Sequence, residues 1–195
     1  MRLIPIDIKQ IIFKTLDSDI SVIEFEHWVY TNKYLETIFS SDDYIDLISF
    51  NYKQELARHE LIKILNNYID FGDYETWKIK KSLNNTLVKN NEASNSIMLF
   101  YDLYCNGYYF LGTLGLKFGL ALTVPPNRFG ANTYRELKPE EKVGLLNSFY
   151  PDIKIEIERV LDWLDKGKII LTGAKNEVGR FEYTDNRTQA EKFLD

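Results

Sequence analysis

The chain has 195 residues, 45% of them hydrophobic and 27% charged, with a formal net charge of −5. That profile is of an ordinary soluble globular protein, with enough apolar residues for one sizeable core or two small ones. A lone cysteine, Cys105, excludes an internal disulfide, and the negative net charge argues against nucleic-acid binding.

The opening Met1-Arg2-Leu3-Ile4-Pro5-Ile6-Asp7 is broken by Pro5 and Asp7, which argues against a signal-peptide core. Ser21 followed by Glu24 is a capping box, and Ile20 with Phe25 fits a hydrophobic staple, so a helix is predicted to start at Ser21 with Val22, Phe25, Val29 and Trp28 inward. Asp42 and Asp43 fall in the first turn of a next helix, where carboxylates complement the macrodipole. From Gln54 to Ile69, the stripe Leu56, Leu61, Ile64, Leu65, Tyr68 has the helical period. Phe71-Gly72-Asp73 supplies a stop and a new cap, and Tyr74 to Val88 predicts another helix through Trp77, Leu83 and Leu87.

The polar run 89–96 reads as a linker. Residues 1–195 are thus expected to form a single compact domain with a soft boundary at 89–96, between a helical half (1–88) and an α+β half (97–195). Ile97 to Tyr104 predicts a buried helix, with Cys105 a buried, inert thiol. In Leu114 to Val124, large apolar residues alternate with Gly115, Lys117, Gly119, Ala121 and Thr123. This predicts a strand ended by Pro125-Pro126, with a helix through Leu114, Phe118, Ala121 and Leu122 as the alternative. The apolar stretch 103–124 is read as core, because Asn106, Lys117, tyrosines and glycines interrupt it. Helices are predicted from Pro139, and from Pro151 to a stop at Gly167, followed by a hairpin of Lys168–Thr172 with Arg180–Thr184. A capping box of Thr188 and Glu191 opens a last short helix. The fold class expected is α+β, predominantly helical, with a small antiparallel sheet in the C-terminal half.

No catalytic set emerges from these elements, and no catalytic residue, metal site or cofactor is assigned. Glu55 and His59 stand four apart, as metal ligands on one helix face do, but no second histidine or cysteine accompanies them and an ion pair is the plainer reading. Glycines 107, 112, 115 and 119 match neither dinucleotide nor phosphate-loop spacing. Glu140/Glu141 and Glu156/Glu158 lie on amphipathic helices, where solvated faces are the default. Lys78, Lys80 and Lys81 form only a small basic cluster.

Charge distribution is the more informative signal. Between Asp17 and Phe50, eight acids face the single cation Lys33, so this segment carries −7 while the remainder is slightly basic. Such a surface repels nucleic acid and attracts a basic protein. Tyrosines interleaved with the acids add contact area. The candidate partner-binding residues are Glu24, Glu26, Tyr34, Asp42, Asp43, Tyr44 and Asp46.

The abundance of asparagine, isoleucine and lysine points to an AT-rich bacterial genome. Acidic, tyrosine-rich and largely helical, with the helix-opening stretch Asp19-Ile20-Ser21-Val22-Ile23-Glu24-Phe25-Glu26-His27-Trp28, the chain resembles the immunity proteins that protect bacteria from polymorphic or contact-dependent toxins. Many of those toxins are nucleases with basic active sites. The resemblance is one of type, over residues 17–85, without a diagnostic motif. It implies a cytoplasmic inhibitor that is not an enzyme and that occludes a basic toxin, possibly the product of a neighbouring gene, through its acids and tyrosines. An enzyme with a site assembled from dispersed residues and a self-associating scaffold are the rival expectations, and the C-terminal hairpin is the rival docking surface.

Overall fold

A computed structural model describes residues 4–193; Met1–Leu3, the start of the interrupted N-terminal run, lie outside them. The protein is α+β and predominantly helical, with a two-stranded antiparallel sheet near its C-terminus. It divides into two compact units, the first ending at Asp70 and the second beginning at Phe71.

In the first unit, α1 (Ile6–Leu16), α2 (Val22–Thr31), α3 (Leu35–Ile38), α4 (Ser41–Ser49) and α5 (Ala57–Leu65) enclose a small core of Ile8, Ile12, Phe25, Val29, Leu35, Leu47, Leu61 and Leu65. Ser21 caps α2 as its sequence predicts. Leu56 departs from expectation. It precedes α5 in a left-handed conformation, φ +60°, and is 71% exposed. The buried stripe is Ala57, Leu61, Leu65, so a small residue one position later sets the helical phase. Glu55 therefore lies outside α5 and does not share a helix face with His59.

In the second unit, α6 (Phe71–Leu87) packs on α7 (Ala93–Cys105), on α10 (Asp152–Asp165) and on strand β1 (Ile169–Lys175). Residues 89–96, expected at the boundary, lie within this unit. Lys89 takes φ +54° and its N–H donates to the Thr86 carbonyl, while Ala93 N–H donates to the Asn90 carbonyl. Residues 89–92 are an exposed turn between two packed helices, and 93–96 form the first turn of α7, with Ala93 and Ser96 buried. Its core continues through Phe100, Phe110, Phe118, Ile153, Ile157 and Trp163.

The strand expected over Leu114–Val124 is instead helical, a π-helical turn Thr113–Gly119 running into α8 (Leu120–Thr123). Leu114, Phe118 and Leu122 are buried at a spacing of four, while Leu116 is exposed. Gly115 and Gly119 let this segment lie backbone to backbone on α7. A Cβ on Gly119 would stand 2.8 Å from the Ile97 carbonyl oxygen, and one on Gly115 2.9 Å from the Tyr104 Cβ. Cys105, expected buried, is exposed at the last turn of α7.

Helix α9 (Pro139–Asn147) starts at its proline, whereas Pro151 sits one position ahead of α10 instead of at its first residue. Strand β1 pairs with β2 (Phe181–Asp185) in the register Ile169↔Asp185 and Leu171↔Tyr183, with a bulge before Lys175. Ile169 and Leu171 point inward. Tyr108 stacks on Phe181 with ring centroids 4.7 Å apart. The short α11 (Gln189–Lys192), opened by the Thr188–Glu191 capping box, is tied down by Lys168 Nζ to Glu191 at 2.5 Å. Arg187 pairs with Asp185 and lies over the Trp163 ring.

Candidate protein-binding face

All the candidate residues lie in the first unit, and their local structure separates them into two groups. Glu24 belongs to the helix. Its carboxylate accepts the Ser21 N–H at 2.7 Å while Ser21 Oγ accepts the Glu24 N–H, and the Ser21 N–H, followed by the Ser21 hydroxyl, holds the carboxyl pKa below the usual range. Asp43 is likewise internal. Its Oδ2 accepts from the Ser40 hydroxyl and from the Tyr68 hydroxyl, both at 2.5 Å, closing the start of α4. Asp17 and Asp19 also have partners.

Glu26, Glu36, Asp42 and Asp46 make no ion pair among the described residues, and neither does Lys33. Glu24 has no ion pair among them either, since its bonds are to the neutral Ser21 cap, so these four carboxylates and Glu24 carry charge that no described cation offsets. The 100° helical step places Glu24 and Glu26 on opposite flanks of α2, about 200° apart. Asp42 is exposed in the first turn of α4 and Asp46 one turn later. Tyr34 is exposed at the start of α3, and Tyr44 is half-buried on α4.

Two other tyrosines fasten the opposite end of α4. The Tyr30 hydroxyl donates to the Ile48 carbonyl at 2.9 Å and the Tyr52 hydroxyl to the Leu47 carbonyl at 2.7 Å, satisfying carbonyls that a helix C-terminus leaves without partners. Burial raises the Tyr52 pKa, with Tyr30 and the Glu26 carboxylate adding to the effect.

Sequence reading missed the apolar part of this surface. Phe25 and Val29 turn α2 toward the core, which sends Ile23, His27 and Tyr30 to the far side. On α4 only Leu47 is buried, leaving Ile45 and Ile48 exposed. The signal was available, since Ile23 and Tyr30 stand seven apart and Ile45 and Ile48 three apart, but each pair reads equally well as core.

The same unit has an open groove of about 520 Å³ lined by Val22, Tyr52, Leu56, Ala57, Arg58 and His59 among others. Its lining includes no carboxylate or thiol. Arg58 Nε is spent on the Thr15 carbonyl at 2.8 Å. Among the described residues, no three His, Cys, Asp or Glu side chains group to hold a metal ion, and no helix is long and apolar enough to cross a membrane. Comparisons with protein-family models, curated proteins and solved structures find no match to this chain.

Proposed function

We propose that the chain is an immunity-type protein, not itself an enzyme, that neutralises a basic toxin of the nuclease kind in the bacterial cytoplasm by covering its active site with the acidic face of the first unit. The observation that carries this reading is the set Glu26, Glu36, Asp42 and Asp46, four carboxylates without ion pairs among the described residues, in a unit that also exposes Ile23, Tyr30 and Ile45. Uncompensated like charge raises the encounter rate with a partner of opposite sign, and a rim of charge around exposed apolar groups marks an interface. Glu24 and Asp43 support this face by holding α2 and α4 in place.

The test is co-expression with the product of each neighbouring gene, followed by purification of any complex and titration at low and moderate salt. Protection of the host from one basic product, with affinity falling as salt rises, is the expected result. Neutralisation is rejected if every such product remains toxic and unbound.

A further inference from the structure

We propose that the centre of the docking face is an apolar ridge, Ile23–Tyr30–Ile48–Ile45, and that its occupant is a partner surface with an apolar patch ringed by lysine or arginine. The proposal rests on the toxin-binding reading above and specifies which side chains hold the partner once charge has brought it in.

The four residues stand on two helices joined by the Tyr30–Ile48 hydrogen bond, with His27 between Ile23 and Tyr30 on α2. Ile23 and Tyr30 share the outward side of α2 two turns apart, the Tyr30 hydroxyl reaches the Ile48 carbonyl, and Ile45 lies one turn back on α4. Tyr30 is 54% exposed and Ile45 55%, although neither is needed to close the core. The tyrosine's hydroxyl is already bonded and its ring lies edge-on to Tyr52, so it is held rigid before any partner arrives. A pre-ordered aromatic loses little conformational freedom on binding, which favours it as an anchor.

Charge selects the occupant. Glu26, Asp42 and Asp46 stand on the same two helices, so a second copy docking through this ridge would set carboxylates against carboxylates. A surface that is apolar in the middle and cationic at its edge meets both features at once.

The probe is a synthetic helical peptide of lysine and leucine with its leucines on one face, compared with a peptide of identical composition whose leucines are scattered. The expected result is that the amphipathic peptide perturbs backbone amide NMR signals of α2 and α4 and binds about tenfold or more tightly than the scattered one, with that advantage lost in Ile45→Ser. Ile45 is exposed, so the variant should fold. If both peptides bind equally, Ile45→Ser changes nothing and only neutralising Glu26, Asp42 and Asp46 weakens binding, the ridge is rejected while charge-driven neutralisation stands. Absence of any perturbation on α2 and α4 rejects the ridge, while neutralisation stands or falls on the co-expression test. Self-association of the protein alone that Ile45→Ser abolishes makes a second copy the occupant and overturns the proposal.

Discussion

The Tyr68 hydroxyl donates to Asp43 Oδ2 at 2.5 Å and accepts the Ser40 N–H at 2.8 Å, so one phenol completes both the cap and the first turn of α4. Its ring lies edge-on to Phe39 at 4.5 Å and is buried. Tyr68→Phe would keep the packing and remove both bonds. A loss of about 1–3 kcal/mol in urea unfolding is expected, because the Ser40 N–H and part of the Asp43 carboxylate lose their partner.

The acids of α4 should divide under mutation. Asp46→Asn is expected to leave stability within about 0.5 kcal/mol of the parent and to slow association with a basic partner, measured by stopped flow at low salt. Asp42→Asn should do the same and lose up to about 1 kcal/mol more, through its place in the first turn. Asp43→Asn should destabilise the fold through the Ser40–Tyr68 contacts. Equal stability losses at all three positions would assign the segment a structural role only.

Elements with a local signature were legible in the sequence. The Ser21–Glu24 and Thr188–Glu191 boxes, the proline-opened α9 and the terminal hairpin depend on neighbours in the chain, and each formed where its residues predicted. The segment 113–123 was misread because glycines four apart satisfy a period of two as well as a helix, and only the contact with α7 decides between them. Leu56 was misread because it lies ahead of the helix in a left-handed conformation, where the helical period does not set its direction, while Leu61 and Leu65 are buried as expected. Of the binding face, the charge was visible but its use was not. Whether a carboxylate caps a helix or faces solvent depends on Tyr68, distant in sequence from Asp43.

The glycine contact gives a direct check. Gly119→Ala would place a methyl 2.8 Å from the Ile97 carbonyl oxygen and 2.8 Å from the Tyr101 Cβ, where backbone has little room to yield. A loss of about 1–3 kcal/mol is expected by chemical denaturation. Gly144→Ala, where an added Cβ meets nothing within 4 Å, serves as the control and should be neutral or slightly stabilising through helix propensity.

Tyr108 is fully buried, and among the described residues its hydroxyl has no hydrogen-bond partner. Burial, with the Glu75 carboxylate adding, raises its pKa, so the hydroxyl stays neutral. An unpaired buried hydroxyl costs about 1–3 kcal/mol relative to water. Tyr108→Phe keeps the stack on Phe181 and should raise stability by about 1 kcal/mol in thermal or urea unfolding. A decrease of similar size would show that the hydroxyl is satisfied in solution.

Acid should loosen the C-terminal clasp first. The Lys168 ammonium, followed by the N–H and hydroxyl of Thr188, lowers the Glu191 pKa from 4.5 to about 2. A carboxyl whose folded pKa lies below its unfolded value binds protons more readily when unfolded. Its contribution is therefore complete above about pH 4.5 and is lost as pH falls toward 2. Burial pushes the Asp185 pKa up, but the side-chain and backbone hydrogen bonds from Arg187, with the charges of Arg187 and Lys192, together outweigh it and lower the pKa, so its contribution falls with acid in the same direction. Unfolding followed through Trp163, which lies beneath Arg187, should lose midpoint temperature across that window. In Glu191→Gln the descent should be shallower, with the parent and variant curves converging at the acid end. Parallel curves would mean that the Lys168–Glu191 pair does not persist in solution.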